Sequence, residues 1–213
     1  MIKGLSLDLF RYCEQHTNHI PDYLIDLERT THWSTLAPQM LSGRLQGRLL
    51  SLLSRIKGPG TIVEIGTFTG YSALCLAEGL VDEGTLHTFE VSDQYDEIIA
   101  NLKEKVGLTK KIVFHKEDAL QYLSTCGLSI DLAFVDGSKK QYPEYLRALT
   151  PLMKKGAMLI SDNVLWYGKV LDTEKDADTG ILDGYNKSLT ESDEWDVVML
   201  PIRDGISIAI KQV

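Results

Sequence analysis

Three polar side chains stand directly after two apolar runs that have the composition of β-strands. Asp136 follows Ile130–Val135, and Asp162 and Asn163 follow Ala157–Ser161. If these strands are neighbours in a parallel sheet, their carboxyl ends meet at one edge and bring the three side chains together. Two carboxylates and an amide oxygen are hard ligands, which favour Mg²⁺ and also suit Mn²⁺ or Ca²⁺. The alternative is that these residues are solvated at the strand ends.

A glycine-containing segment follows the first apolar strand and reads Glu64-Ile65-Gly66-Thr67-Phe68-Thr69-Gly70-Tyr71-Ser72. Glycines at this place let the backbone approach a ligand closely. The segment lacks the GxGxxG spacing of a pyrophosphate loop. It therefore favours a ligand with an amino-acid end, whose ammonium group suits Glu64, over a diphosphate. A tight turn before a helix is the alternative.

Glu90 ends the second predicted strand, and this position has a known use in nucleoside-binding sheets. About 20 residues after the glycine segment, an acidic side chain there accepts hydrogen bonds from ribose hydroxyls. Taken alone, a glutamate at a strand end is more often simply solvated. Together with the glycine segment, Glu90 favours a ribose-containing ligand.

The elements that position these residues alternate after residue 60, where strand-like apolar runs are separated by helical stretches. This alternation predicts a parallel sheet with helices on both faces. The last two runs, Trp195–Leu200 and Ile206–Ile210, are joined by five residues, too few for a parallel crossover, and predict an antiparallel hairpin. We therefore predict an α/β fold with a doubly wound, seven-stranded, mostly parallel, Rossmann-like sheet. Residues 1–57 predict an N-terminal helical extension and residues 58–213 the α/β core, together one domain.

The composition narrows the classes of partner. The chain of 213 residues carries a net charge of −8, which argues against a nucleic-acid backbone or an anionic membrane as the main partner. Three cysteines without motif spacing predict a reducing compartment. The first ten residues do not resemble a signal peptide, and no run approaches the ~20 apolar residues of a membrane span. These features predict a cytoplasmic protein with a small-molecule partner.

Several of these motifs, in this order, resemble the caffeoyl-CoA and catechol O-methyltransferase family, in a bacterial-type form. The resemblance runs from about residue 38 to the end. It is carried by the glycine segment Glu64–Ser72, by Phe134-Val135-Asp136, by Asp162-Asn163-Val164-Leu165-Trp166 with Gly168, and by Leu200-Pro201 and Asp204-Gly205-Ile206. It implies a class I methyltransferase fold, a homodimer, and O-methylation that depends on S-adenosylmethionine.

The resemblance also implies a role for individual residues. Asp136, Asp162 and Asn163 would hold a divalent cation, with Mg²⁺ first and Mn²⁺ or Ca²⁺ as alternatives. Lys139 matches the family's catalytic lysine, and Asp136 would touch both the cation and the cofactor. The residues implied to hold the cofactor are Ser42, Glu64, Gly66, Thr67 and Ser72 for the methionine portion, Glu90 for the ribose, and Asp118 and Ala119 near the adenine.

This set of residues is consistent with methyl transfer to a phenolic or catechol-like hydroxyl. A phenol has a pKa near ~10, so little of it is ionised at neutral pH. A divalent cation stabilises the phenolate and orients it, and two neighbouring oxygens of a catechol can chelate the cation. Lys139 would accept the hydroxyl proton, or else be a solvated lysine beside Lys140.

Two other classes of function remain open at this stage. One is a nucleotide-dependent Rossmann enzyme, against which the missing GxGxxG spacing counts. The other is a non-catalytic nucleoside-binding protein, against which the complete set of polar residues counts. Ser138 departs from the family, where an acidic residue is common, and leaves one cofactor contact in question. Leu171–Gly184 has no family pattern and is expected to be a mobile segment over the active site.

Overall fold

The computed structural model describes residues 7–17, 20–105, 107 and 111–213. Seven strands form one sheet in the order β3-β2-β1-β4-β5-β7-β6. The strands are β1 (Thr61–Ile65), β2 (Thr85–Phe89), β3 (Ile112–His115), β4 (Ile130–Val135), β5 (Met153–Asp162), β6 (Trp195–Leu200) and β7 (Ile206–Lys211). This order, and the antiparallel β6–β7 hairpin at the end of a mostly parallel sheet, confirm the predicted fold class.

Eight α-helices lie between or before these strands in the described part of the chain. They are α1 (Leu7–Gln15), α2 (Asp22–Ser34), α3 (Gly43–Lys57), α4 (Tyr71–Ala77), α5 (Asp96–Lys105), α6 (Ala119–Leu123), α7 (Tyr142–Leu149) and α8 (Ala177–Thr190). The predicted helical extension is therefore observed as α1 to α3, although residues 1–6, 18 and 19 of it lie outside the described residues. Among the described residues, no helix is both long enough and apolar enough to cross a membrane.

The contacts of the chain group into two compact units, which we name by position. The C-terminal unit contains Val63–Gly66 and Ala119–Val213, and the N-terminal unit contains residues 7–62 and Thr67–Asp118. The organisation of residues 1–213 as one domain stays a prediction.

In the N-terminal unit, α3 buries an unexpected face. The sequence predicts this helix from apolar residues at helical spacing, yet Leu52 and Ile56 are 54% and 79% exposed. The residues that α3 buries are Gln46, Gly47, Leu50, Ser51 and Ser54. The reason is close packing: a Cβ on Gly79, just after α4, would collide with the backbone of Ser54. The small residues Gly47, Ser51 and Ser54 on this face of α3 permit the approach, and Leu52 and Ile56 are left exposed.

In the C-terminal unit, β4 and β5 form the centre of the core, and Leu132, Phe134 and Ile160 are fully buried there. Helix α8 corrects one expectation, because the second half of the segment expected to be mobile, from Ala177 onward, is helical. The Asp176 carboxylate accepts hydrogen bonds from the backbone N–H and the hydroxyl of Thr179, at 2.8 and 2.6 Å. This N-cap starts a helix in a stretch whose composition resembles a loop.

Candidate active site

The ends of β4 and β5 lie side by side in the C-terminal unit. The two strands pair in parallel, with Val135 opposite Ser161. Asp136 directly follows Val135, and Asp162 directly follows Ser161. Because the strands are neighbours, the two aspartates reach the same edge of the sheet.

Asp136 sits in an environment that disfavours its charge. Burial raises the pKa of Asp136 above its ordinary value, the Lys139 ammonium opposes that rise, and the nearby Asp162 carboxylate adds to it. The Lys139 Nζ donates a hydrogen bond to Asp136 Oδ1 at 2.7 Å. Arg203 also opposes the rise, yet the pKa of Asp136 stays above its ordinary value, so a further cation beside the two carboxylates would favour the charged form.

The Asp162 side chain is held by a hydrogen bond from the backbone of Asn163. Asp162 is 5% exposed, and its Oδ1 accepts a hydrogen bond from the Asn163 N–H at 2.7 Å. Asn163 has a left-handed φ of 57°, which asparagine tolerates better than most residues. The Asn163 Nδ2 lies 3.5 Å from Asp204 Oδ2, so the amide oxygen is the atom that remains to ligate a cation.

Asp204 is a part of the site to which sequence reasoning assigned no role. It is 8% exposed, and its Oδ1 accepts a hydrogen bond from the Tyr167 backbone N–H. Burial raises the pKa of Asp204, the Tyr167 N–H opposes the rise, and Asp162 adds to it. The next residue, Gly205, has a φ of 91°, and a Cβ there would collide with Leu165. The only signal in the sequence is the Asp204-Gly205-Ile206 motif of the resemblance.

The turn after Asn163 is strained. Trp166 and Tyr167 have left-handed φ values of 45° and 56°, a conformation that costs on the order of 1–3 kcal/mol for a bulky residue. Such strain clusters at functional sites. Tyr167 is 69% exposed, and its ring lies 5.5 Å from that of Trp166. These two rings lie in the turn that follows Asn163.

Within the described ranges, no group of three or more His, Cys, Asp or Glu side chains is arranged to hold a metal ion. The candidate ligand set is therefore limited to two carboxylates and one amide oxygen. A set of this kind suits a cation that keeps water or substrate oxygens in its shell.

Three more of the predicted cofactor residues belong to the C-terminal unit. Glu64 is completely buried within β1. Gly66 follows β1 with a φ of 104°, and a Cβ there would collide with the backbone of Asp136. The need for glycine at this position thus comes from the chain itself, whereas the sequence had suggested a close approach to a ligand. Ala119 is buried as the first residue of α6.

In the N-terminal unit, Glu90 braces the glycine segment. Its Oε2 accepts a hydrogen bond from the Phe68 N–H at 2.9 Å, and its Oε1 accepts one from the Ser92 N–H at 2.9 Å. Phe68 has a left-handed φ of 49° and packs edge-on against Tyr95, with ring centroids 4.7 Å apart. A carboxylate has about four lone-pair positions, so these two bonds leave Glu90 able to accept hydrogen bonds from a ribose. Sequence reasoning missed this bracing role.

Four other predicted cofactor residues belong to the N-terminal unit. Thr67 is buried, and its hydroxyl shares a hydrogen bond with that of Thr88. Ser72 is the second residue of α4, Ser42 directly precedes α3, and both are buried. Asp118 is partly exposed and directly precedes α6.

The fold and these strand-end residues define a class I methyltransferase arrangement, and comparisons with known proteins agree. Residues 14–212 match the family model described as O-methyltransferase. The chain is 33% identical over 177 residues to caffeoyl-CoA O-methyltransferase 2 of Petunia hybrida. The aligned region covers 76% of this chain and 73% of that protein.

Two solved structures extend the likeness. One is a Podospora anserina methyltransferase bound to S-adenosylhomocysteine, with 26% identity, a TM-score of 0.89, and coverage of 100% of this chain and 99% of that one. The other is an O-methyltransferase of Streptomyces achromogenes in complex with S-adenosylmethionine, with 26% identity, a TM-score of 0.88, and coverage of 97% and 96%.

The chain therefore belongs to the O-methyltransferase family that includes the caffeoyl-CoA O-methyltransferases. It is an S-adenosylmethionine-dependent O-methyltransferase. This outcome confirms the predicted class and sets aside the nucleotide-dependent and non-catalytic alternatives.

Proposed function

We propose that the protein methylates a hydroxyl of a small phenolic or catechol-like molecule in a reaction that depends on a divalent cation. The observation that carries the proposal is the meeting of Asp136 and Asp162 at the ends of two paired strands, with Lys139 2.7 Å from Asp136. The names of the plant caffeoyl-CoA relatives support a phenolic substrate.

The proposed cation ligands are Asp136, Asp162 and Asn163. The chemistry of these donors fits a hard divalent ion, Mg²⁺ first and Mn²⁺ or Ca²⁺ as alternatives. The fit is supported by the raised pKa of Asp136, to which burial and the Asp162 charge both contribute, because a bound cation would relieve both penalties. When bound, the cation would favour ionisation of a substrate hydroxyl and orient it.

The proposed cofactor residues are those that the resemblance implies. S-adenosylmethionine supplies an activated methyl group on a sulfonium. Glu64 would bind its ammonium group, and Glu90 would accept hydrogen bonds from its ribose hydroxyls. The remaining residues proposed to bind the cofactor are Ser42, Gly66, Thr67, Ser72, Asp118, Ala119 and Asp136.

Lys139 is the residue proposed to handle the substrate proton. Its Nζ lies at the same edge as the proposed cation ligands and also contacts the Tyr142 hydroxyl at 3.1 Å. Lys139 would accept the hydroxyl proton only as a neutral amine, a form that a bound divalent cation nearby would favour. Trp166 and Tyr167 are proposed to contact the aromatic ring of the substrate.

The test is methylation of a panel of catechols and matched monophenols, with S-adenosylmethionine and Mg²⁺. We expect turnover of catechols, a loss of at least about 100-fold after EDTA treatment, and recovery when Mg²⁺ is added back. Full turnover after complete removal of metal would contradict the cation requirement. Equal turnover of monophenols and catechols would contradict the proposed chelation of the substrate.

We also propose that the protein is a homodimer. The support is the apolar surface of the N-terminal helices, where Tyr12 of α1 and Leu52 and Ile56 of α3 are 58%, 54% and 79% exposed. Leu52 and Ile56 lie four residues apart on α3 and so share a face, and exposed apolar patches are typical of interaction surfaces. Light scattering after size exclusion should give twice the chain mass for the wild type and the chain mass for Ile56→Asp. A monomeric wild type would contradict the proposal.

A further inference from the structure

The tyrosine that contacts Lys139 also makes contact with both strand ends of the candidate site. Tyr142 is the first residue of α7 and is completely buried. A buried tyrosine hydroxyl normally needs a hydrogen-bond partner, and this one has partners on three different segments.

The Tyr142 hydroxyl bridges the ends of β4 and β5. It donates to the carbonyl of Asp162 at 2.8 Å and lies 3.2 Å from the carbonyl of Val135. Val135 and Asp162 are the last residues of the two strands, and the ladder between the strands ends at the pair Val135–Ser161. The hydroxyl therefore links β4 and β5 at the point where backbone pairing between the two strands stops.

The same oxygen also accepts a hydrogen bond from Lys139 Nζ at 3.1 Å. The Tyr142 ring is held in turn by Tyr185, whose ring packs edge-on at 5.2 Å. The position of the hydroxyl is thus determined by the core and not by solvent.

We propose that Tyr142 is a positioning residue for the active site. It keeps the ends of β4 and β5 at the spacing that lets Asp136 and Asp162 act on one cation, and it anchors Lys139 beside them. The proposal rests on the proposed cation dependence. The opposing view is that Tyr142 only fills space in the core, a role that phenylalanine would fulfil equally well.

The test compares two buried tyrosines that each lose one hydroxyl. Tyr142→Phe removes the bridge between the strand ends. Tyr185→Phe is the matched control, because its hydroxyl is equally buried and bonds to the side chain of Ser161, not to a strand-end carbonyl. Thermal melting monitors stability, and titration with Mn²⁺, followed by electron paramagnetic resonance, measures cation affinity of the free protein without reference to turnover.

We expect both variants to melt at lower temperature by similar amounts. Only Tyr142→Phe should lose cation affinity, by about tenfold or more, as is usual when a group that orients a metal ligand is removed. Replacement of Tyr142 by 4-aminophenylalanine supplies two N–H donors to the two carbonyls and should restore the affinity to within about threefold of the wild type.

The outcomes separate the two proposals. If the wild type binds no Mn²⁺, the cation-dependent function is wrong, and the positioning role is wrong with it. If the wild type binds Mn²⁺ and Tyr142→Phe binds it equally well, only the positioning role is wrong. If Tyr142→Phe does not fold, the 4-aminophenylalanine protein decides, and an affinity loss of about tenfold there would contradict the role.

Discussion

Two ion pairs of similar geometry have opposite electrostatic character in this protein. In the N-terminal unit, Arg48 donates to both carboxylate oxygens of Glu78, at 2.7 and 3.0 Å. In the C-terminal unit, Lys139 donates to one oxygen of Asp136, at 2.7 Å. The side chains are 13% and 15% exposed in the first pair and 17% and 20% in the second. The exposed fractions of the four side chains are therefore similar.

Burial and the neighbours of each carboxylate together make the difference. Burial favours a higher pKa for Glu78, but hydrogen bonds from Arg48, Ser51 and Tyr23 outweigh it and lower the pKa. For Asp136, burial raises the pKa and Asp162 raises it further, against the effects of Lys139 and Arg203. We call the Glu78 pair compensated, because its surroundings favour the charged carboxylate overall, and the Asp136 pair uncompensated, because its surroundings disfavour it. A compensated pair stabilises the fold, and an uncompensated one is suited to bind a cation.

The largest expected effect is on activity at the uncompensated site. Asp162→Ala should lower kcat/KM by about 1,000-fold or more, because it removes a proposed cation ligand. The melting temperature should change by only a few degrees, since a repelling charge is removed together with the ligand. Initial rates and thermal melting measure both quantities.

The control for this change is Asp196→Ala, an exposed aspartate on β6, which should retain normal rates. Normal activity in Asp162→Ala would contradict the proposal that the uncompensated pair belongs to a catalytic cation site.

A smaller loss of activity is expected when the positive charge of Lys139, the partner of Asp136, is removed. Lys139→Met should lower kcat by about 100-fold, the lower end of the usual contribution of a proton-accepting group. The neighbouring Lys140 is 70% exposed, so Lys140→Met should keep nearly full activity. Steady-state kinetics of both variants provide the test, and equal losses would show that Lys139 has no special role.

The compensated pair should respond in stability. Glu78→Gln should lower the free energy of unfolding by about 2–3 kcal/mol, because it leaves the Arg48 guanidinium without its carboxylate in a mostly buried place. Urea unfolding at pH 7 measures the loss. Glu83→Gln, at an exposed position, should change the free energy of unfolding by less than about 0.5 kcal/mol. An equally stable Glu78→Gln protein would contradict the structural role of this pair.

The smallest effect concerns pH. The pKa of Glu78 is lowered in the folded protein from an ordinary value of 4.5, so as the pH falls the unfolded chain takes up the proton first. The stabilisation by ionised Glu78 is therefore fully present above about pH 4.5 and decreases as the pH falls through the folded-state pKa. The stability difference between wild type and Glu78→Gln should shrink over that range in urea titrations at several pH values. A difference that stays constant down to the acid transition would contradict the lowered pKa.

Much of the fold could be predicted because its signals are local. Alternation of apolar strands and helices after residue 60, and the five-residue connection between the last two strands, were enough to predict the mostly parallel sheet and its hairpin. The buried face of α3 could not be predicted this way, because it depends on how closely Ser54 approaches Gly79. The start of α8 depends on a single cap at Asp176. As a signal in the sequence, this cap is weaker than the loop-like composition around it.

The order of residues along the chain was sufficient to indicate which side chains reach the ends of β4 and β5, since the carboxyl ends of neighbouring parallel strands share an edge. It could not indicate what surrounds them. The contacts of Asp204 with Tyr167 and of Tyr142 with Asp162 join segments 37 and 20 residues apart. Hydrogen bonds depend on distances of a few tenths of an ångström, and such distances exist only once the helices and strands have packed.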